Sequence, residues 1–209
     1  MSDKIILLKN GEFYHIYNRG INSTYLFKEP ENYQYFLNLY DKHISPIAET
    51  YAWVLMPNHF HFLLRIKDEV DLPANQTGFQ NLSGLAANER QIHQYFSNLF
   101  NAYSKAFNKR YNRHGALFER PFKRKLIDNF GYYKTLVTYI HQNPVQHGFC
   151  EMAVEYPWSS YLSCISTKNT KIERQKVLDF FNSKEDFISN HNKLIDRKSL
   201  NELENWLEI

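Results

Sequence analysis

The sequence predicts an α+β protein in which helices pack on one face of an antiparallel sheet, with a helical extension at the C-terminus. Three observations support this fold class. Short runs of alternating or dense apolar residues indicate strands, longer runs with apolar residues three or four positions apart indicate helices, and proline, asparagine and glycine residues separate the runs. The predicted order is strand, helix, hairpin, helix, strand and helix, followed by the extension.

The first half of the chain contains three predicted strands and one helix. Residues 12–16 alternate and are rich in aromatic side chains, which indicates a strand that ends before Gly20. Residues 30–44 carry apolar side chains on one helical face, so we predict a helix there. Residues 50–56 and 60–66 are typical of strands, and the proline and asparagine between them predict an antiparallel hairpin.

The second half is predicted to be mainly helical. The polar residues 67–83 indicate a loop, and residues 82–112 show sustained helical spacing. A strand is expected within residues 116–127, interrupted near Pro121. A further helix is expected from about residue 129 to residue 143, where the following proline ends it.

The bulk composition is that of an ordinary globular protein. The 209 residues are 43% hydrophobic and 22% charged, which favours one domain with some elaboration. The formal net charge of +3 permits nucleic acid as a partner without requiring it. Two cysteines fit neither a disulfide framework nor a paired zinc motif. No apolar run has the length of a signal peptide or a membrane span, so we expect a cytoplasmic protein without a membrane partner.

The first candidate site is the histidine pair His59 and His61. Residues two apart in a strand point to the same face, so both imidazoles project together, while Phe60 points to the opposite layer. Two adjacent imidazoles form half of a metal site. The alternative is a pair of strand histidines that only form hydrogen bonds, because short matches of this kind are often accidental.

The second candidate site is the helix that contains Tyr139 and Asn143. These residues are four apart and share one helix face. A tyrosine hydroxyl has a pKa of about 10 and is a weak nucleophile unless a nearby metal ion polarises its phosphate target. The amide oxygen of Asn143 can complete coordination by two histidines. Alternatively, Tyr139 is a half-buried aromatic residue and Asn143 caps the helix C-terminus.

The third feature is a basic segment between Lys105 and Lys125, with aromatic residues interleaved. Cations neutralise phosphates and aromatic faces stack on bases, so this segment favours nucleic-acid binding. A solvated basic helix end is the alternative. We select five cations of this segment, together with one arginine near the first predicted strand, as candidate DNA contacts. They are Arg19, Lys109, Arg113, Arg120, Lys123 and Arg124.

Taken together, four blocks of the sequence resemble the HUH superfamily of single-tyrosine transposases, and in particular the REP-associated tyrosine transposases. The blocks follow one another in the order of that family. The second and fourth are the most specific, because they contain the histidine pair and the tyrosine. The four blocks are YHIYNRG at 14–20, YAWVLMPNHFH at 51–61, GALFERPF at 115–122 and YIHQNPV at 139–145.

This resemblance implies a fold, a site and a reaction. The fold would be ferredoxin-like, similar to that of RNA-recognition modules. His59 and His61 would bind Mg²⁺ or Mn²⁺, with Asn143 as the third ligand. Tyr139 would be the nucleophile that attacks single-stranded DNA, in hairpin-forming repeats, to give a 5′-phosphotyrosine link and a free 3′-hydroxyl. A second attack by a 3′-hydroxyl would rejoin the strand.

The resemblance also suggests how the chain is divided. It implies a catalytic domain at residues 1–162 and leaves residues 163–209 outside the match. Within that C-terminal extension, residues 170–209 have the spacing of two or three amphipathic helices. Family members act as monomers or as dimers that exchange tyrosine helices, so a homodimer remains open for this chain.

Two other functions remain open. A relaxase or replication initiator of the same superfamily would use a similar site, although such proteins are often larger and no phosphate-binding glycine loop is present here. A protein that binds repeat hairpins without cutting them would keep the site only as a scaffold. The intact set of two histidines, a tyrosine and an asparagine argues against a degenerate site.

Overall fold

A computed structural model of the chain describes residues 6–70, 84–129, 131–193, 195, 200, 201, 203 and 205, with the backbone alone for residues 84–90. The strands are β1 (Phe13–Arg19), β2 (Ala48–Met56), β3 (His59–Ile66) and β4 (Lys123–Ile127). The helices are α1 (Pro30–His43), α2 (Gly84–Arg110), α3 (Gly131–Gln146), α4 (Tyr161–Ile165), α5 (Arg174–Asp179) and α6 (Lys184–His191). The predicted α+β class is confirmed.

The four strands form one antiparallel sheet in the order β2–β3–β1–β4. The predicted hairpin is confirmed, with β2 and β3 joined by a turn at Pro57 and Asn58. In the centre of the sheet, Tyr17 of β1 pairs with His61 on one side and with Lys123 on the other. This register places the strand with the histidine pair close to the basic strand.

Helices cover both faces of the sheet, whereas the sequence predicted helices on one face only. Helices α1 and α2 pack against Phe60 and Phe62 of β3, and α3 packs on the other face beside Leu63. Residues 60–64 of β3 are all buried. A strand that is apolar at consecutive positions has to be covered on both faces, and this density of apolar residues is the physical reason for the difference.

Three predicted boundaries were wrong. Strand β1 continues three residues beyond the predicted end, to Arg19. Strand β4 is shorter than predicted, because residues 116–122 pair with the sheet only through an isolated bridge between Gly20 and Phe118. Helix α3 continues through Pro144 to Gln146. The long predicted helix corresponds to α2.

The C-terminal extension belongs to the same core as the helix that carries Tyr139. Side chains of α5 and α6 share a buried cluster with Ile140 of α3, notably Val177 and Phe187. Most of the predicted loop at 67–83, and most of residues 194–209 at the end of the predicted helical extension, lie outside the described residues. In the part of the chain that is described, no helix is long and apolar enough to cross a membrane.

Gly20 ends β1 at a point where the backbone of the following turn comes very close. A Cβ atom added at Gly20 would lie 1.9 Å from the carbonyl oxygen of Thr24. The amide of Gly20 also donates to the carbonyl oxygen of Asn58, at 2.8 Å, in the turn that precedes the histidine pair. Glycine at this position therefore holds two turns together beside the candidate site.

Gly20→Ala should lower the free energy of unfolding by about 1–3 kcal/mol, because backbone atoms must shift to admit the methyl group. Urea unfolding curves would measure the change. Gly131→Ala is a matched control, since its Cβ would meet only the Asn129 side-chain oxygen, at 3.2 Å, and alanine favours a helix. Equal stability of the two variants would contradict the steric argument.

Candidate active site

The histidine pair lies at the start of β3 and faces α3. The ring centroids of His59 and His61 are 5.2 Å apart, and the rings are nearly perpendicular, at 84°. Because the residues are two apart in a strand, both rings lie on the same face of the sheet. Tyr17 of β1, which pairs with His61, lies on that face too. The structure therefore brings the two imidazoles together on one face, as the spacing predicts.

Helix α3 brings three side chains to the histidine pair. The ring centroid of Tyr139 lies 5.6 Å from that of His61, with the rings at 80°. One helical turn further on, the Oδ1 atom of Asn143 lies 2.9 Å from Nε2 of His59. One more turn along, just beyond the helix end, the ring centroid of His147 is 5.4 Å from that of His59. Four-residue spacing places all three on one helix face.

Neighbouring side chains orient both imidazoles. Nε2 of His15 lies 2.9 Å from Nδ1 of His61, and the two rings are nearly parallel, with centroids 5.0 Å apart. Nδ1 of His59 lies 2.7 Å from Oδ1 of Asn58. Such outer contacts fix the ring orientation and the tautomer of histidines that bind metals.

Both histidines of the pair are neutral near pH 7. Burial lowers the pKa of His59 from 6.5 to about 4, although its contact with Asn143 acts in the opposite direction. Burial and the neighbouring histidines lower the pKa of His61 well below 6.5. Metal ligands must be unprotonated, so these lowered pKa values leave imidazole lone pairs available for a cation.

The hydrogen bonds of His59 indicate where a cation fits. Neutral His59 carries one ring proton and can donate to only one of its two amide oxygen neighbours. If Nδ1 donates to Asn58, the lone pair of Nε2 faces Oδ1 of Asn143, which is also an acceptor. Two facing acceptors repel each other unless they share a cation. The residues present therefore fit the divalent metal that the resemblance implies.

The tautomers of His15 and His61 are coupled through the contact between their rings. Nδ1 of His15 is buried and has no hydrogen-bond partner among the described residues. If Nε2 of His61 binds a cation, its Nδ1 carries the proton and donates to Nε2 of His15, so Nδ1 of His15 bears the remaining proton. Within the described ranges, no group of three or more His, Cys, Asp or Glu side chains can hold a metal. A cation at this site would thus have few protein ligands and open positions for phosphate oxygens.

A cavity of about 640 Å³ opens beside these residues. Of the candidate DNA contacts, it is lined by Arg19 and Lys123, and Arg19 also forms an ion pair with Glu119, with its Nε 3.5 Å from Oε1. The aromatic residues Tyr25 and Phe149 line the cavity as well. The cavity thus combines the histidine pair, cations and aromatic rings.

The other four candidate DNA contacts do not line this cavity. Arg124 is only 9% exposed and lies against the ring of Phe122, so little of its guanidinium is accessible to DNA. Lys109 lines a separate groove between α1 and α2. Arg113 donates to Oδ1 of Asn108 in α2 and to the carbonyl oxygen of Ala116, and Arg120 is exposed. Successive strand residues point to opposite faces, so Arg124 points away from the cavity that its neighbour Lys123 lines. The structure therefore does not support Arg124 as a DNA contact at this cavity.

Three residues at the cavity, His147, Tyr25 and Phe149, were not among the predicted site residues. His147 follows Asn143 by four residues, so continuing the helical spacing from Tyr139 would have identified it. Tyr25 and Phe149 carry no comparable signal in the sequence. Their position beside the histidine pair depends on how the turns after β1 and α3 fold back toward β3.

No family model matches the chain. A Haemophilus influenzae protein provisionally named a REP-associated tyrosine transposase is 25% identical over 113 residues, which cover 54% of this chain. The match spans 58% of that protein, so the chain covers little more than half the length of this relative.

A solved structure shares the fold. It is a REP-associated tyrosine transposase bound to a REP hairpin, with a TM-score of 0.57 and 16% sequence identity. The alignment covers 80% of this chain and 87% of that one. The sequence match and the shared fold agree with the resemblance carried by the four blocks: the chain is similar in sequence to one REP-associated tyrosine transposase and shares the fold of another.

Proposed function

We propose that the chain is a metal-dependent enzyme that cuts and rejoins single-stranded DNA through a 5′-phosphotyrosine intermediate. One observation carries the proposal: the face of α3 with Tyr139 and Asn143 lies against the histidine pair of β3. A nucleophile beside a set of metal ligands is what phosphodiester transesterification requires.

In this proposal, Nε2 of His59, an imidazole nitrogen of His61 and Oδ1 of Asn143 hold Mg²⁺ or Mn²⁺. An ion held by these three side chains would supply Lewis-acid stabilisation of the charge that develops on the target phosphate. Two imidazole ligands suit Mn²⁺ better than Mg²⁺. We therefore expect Mn²⁺ to support the reaction at least as well as Mg²⁺.

The nucleophile in this proposal is the hydroxyl oxygen of Tyr139. It attacks phosphorus, the bond from phosphorus to the 3′ oxygen breaks, and the tyrosine proton passes to solvent while the leaving 3′ oxygen gains one. In the second step a 3′-hydroxyl attacks the phosphotyrosine, which restores the phosphodiester and releases Tyr139. An aryl phosphate has a better leaving group than an alkyl phosphate, so the link is reversible and suits joining as well as cutting.

The proposed substrate is a single strand that forms hairpins. The fold relative is bound to a REP hairpin, and the sequence relative is named for REP elements. The cations Arg19 and Lys123 line the cavity, which supports binding of a phosphate backbone there.

The test is a search for a covalent protein–DNA complex. Labelled single strands taken from the DNA that flanks the gene are incubated with the chain and either Mn²⁺ or Mg²⁺, and denaturing gels separate covalent from bound species. We expect a covalent band with metal and none after chelation with EDTA, with the modified peptide containing Tyr139. Specific hairpin binding without a covalent band under both metals would favour a binding protein that does not cut.

A further inference from the structure

Two large aromatic side chains remain exposed at the cavity that contains the histidine pair. Tyr25 is 57% exposed and Phe149 is 54% exposed, and both line the cavity with His59 and Tyr139. Most aromatic residues of the described chain are buried in its two hydrophobic clusters. Exposed rings beside an active site are available to a ligand.

We propose that Tyr25 and Phe149 each stack on an unpaired DNA base close to the phosphate that is cut. This inference rests on the proposed function and specifies which part of the substrate the cavity recognises. A base offers its flat face to an aromatic ring only when it is unstacked from its neighbours, so these rings would select single-stranded nucleotides rather than a duplex.

The backbone around Tyr25 is fixed relative to the histidine pair. The amides of Leu26 and Phe27, which follow Tyr25, both donate to the carbonyl oxygen of Pro57, at 2.7 and 3.0 Å. Pro57 lies in the turn that leads directly to His59. Tyr25 is therefore held by the same hairpin that positions the histidines, although its ring is exposed.

The backbone at Phe149 is fixed to the end of α3. Its amide donates to the carbonyl oxygen of Pro144, at 2.8 Å, and its ring centroid lies 6.4 Å from that of Tyr156. The hydroxyl of Tyr156 donates to the carbonyl oxygen of Leu55, at 2.8 Å, so this neighbour is anchored to β2. Both rings are thus presented on ordered backbone, which lowers the entropic cost of stacking a base.

The charges at the same cavity fit a single strand. Arg19 and Lys123 can neutralise phosphates while the two rings bind bases, and this combination is typical of grooves that bind single-stranded nucleic acid. Tyr35 is also 43% exposed, but it lies in the groove between α1 and α2. It therefore serves as a matched control.

The experiment measures equilibrium binding to a labelled hairpin with a single-stranded deoxyadenosine extension, to the blunt hairpin, and to a hairpin with an abasic extension. All variants carry Tyr139→Phe, so that binding is read without reaction. Tyr25→Leu and Phe149→Leu remove the ring but keep apolar bulk, whereas Tyr25→Phe and Phe149→Tyr keep the ring. Tyr35→Leu is the control, and thermal unfolding of each variant checks that it folds.

Each leucine variant should bind the deoxyadenosine extension about tenfold more weakly, the scale of one stacked base. Blunt and abasic hairpins should bind all variants equally, and the variants that keep a ring, with Tyr35→Leu, should bind like the parent. Equal binding of the deoxyadenosine extension by the leucine variants and the parent would overturn the inference. The readout is binding, so weaker binding by the leucine variants can be seen even if the chain forms no covalent complex with DNA. If the chain forms the covalent complex but the leucine variants bind as well as the parent, only the stacking inference is wrong.

Discussion

Tyr139→Phe should abolish the covalent protein–DNA complex, whereas Tyr17→Phe should leave most of it. Removing the hydroxyl removes the proposed nucleophile, and a change of this kind lowers the rate by on the order of a thousandfold or more. Phenylalanine keeps the ring, so packing at this buried position, where Tyr139 is 3% exposed, should change little. Denaturing gels with labelled single strands measure the covalent complex.

Tyr17 is the appropriate control because it also lies near the histidine pair. Its ring centroid is 5.9 Å from that of His61, close to the 5.6 Å found for Tyr139, and both residues line the cavity. The ring distance to His61 therefore does not distinguish Tyr17 from Tyr139 as the nucleophile. Tyr139 is favoured because it shares its helix face with Asn143, whose side chain contacts His59.

The opposite result would identify the other nucleophile. If Tyr17→Phe removes the covalent complex and Tyr139→Phe does not, the assignment of Tyr139 is wrong, while the proposed cutting reaction remains. A covalent complex that still forms in both variants would point to a nucleophile outside this cavity. Unchanged hairpin binding by both variants would show that any lost activity does not arise from lost affinity.

Short-range spacing accounts for the parts of the site that the sequence could predict. The histidine pair follows from a period of two in a strand, and the shared face of Tyr139 and Asn143 follows from a spacing of four in a helix. No spacing rule links β3 to α3, and the expectation that they meet came from the resemblance. The hydrogen-bond contact between His15 and His61 depends on the register of β1 against β3, which spacing within one strand does not give.

The back of α3 shows a similar limit of sequence reasoning. Nδ1 of His141 lies 2.9 Å from Nε2 of His191, and Nε2 of His141 lies 2.7 Å from Oγ of Ser160. The amide of Gln142 donates to the carbonyl oxygens of His191 and Lys193, at 2.8 and 2.7 Å. The YIHQNPV block thus sends Tyr139 and Asn143 to the cavity, whereas His141 and Gln142 contact the C-terminal extension, which the resemblance left without a role.

Acid should destabilise the protein through His191, which is buried in this contact. Burial lowers its pKa from 6.5 to about 4, although hydrogen bonds to backbone groups act in the opposite direction. Its neighbours are the imidazole of His141 and the rings of Tyr161 and Phe187, with no carboxylate among these contacts to favour the charged form. Nδ1 donates to the carbonyl oxygen of Phe187, so Nε2 accepts from His141, as a neutral ring requires.

Below a pH of 6.5 the unfolded chain gains a proton at His191 that the folded chain does not bind until the pH approaches 4. Stability from this residue is therefore present above 6.5 and is lost as the pH falls through that interval. The loss should reach about 2–3 kcal/mol between about pH 7 and about pH 4.5. Urea unfolding at several pH values measures it.

His191→Gln should make the unfolding free energy less dependent on pH by that amount, since an amide can accept from His141 but does not titrate. His114→Gln, at an exposed position, is the matched control and should keep the parent's pH dependence. If the glutamine variant folds too weakly to compare, the pH titration of the His191 ring by NMR tests the same point. A ring that titrates near 6.5 in the folded chain would contradict the prediction.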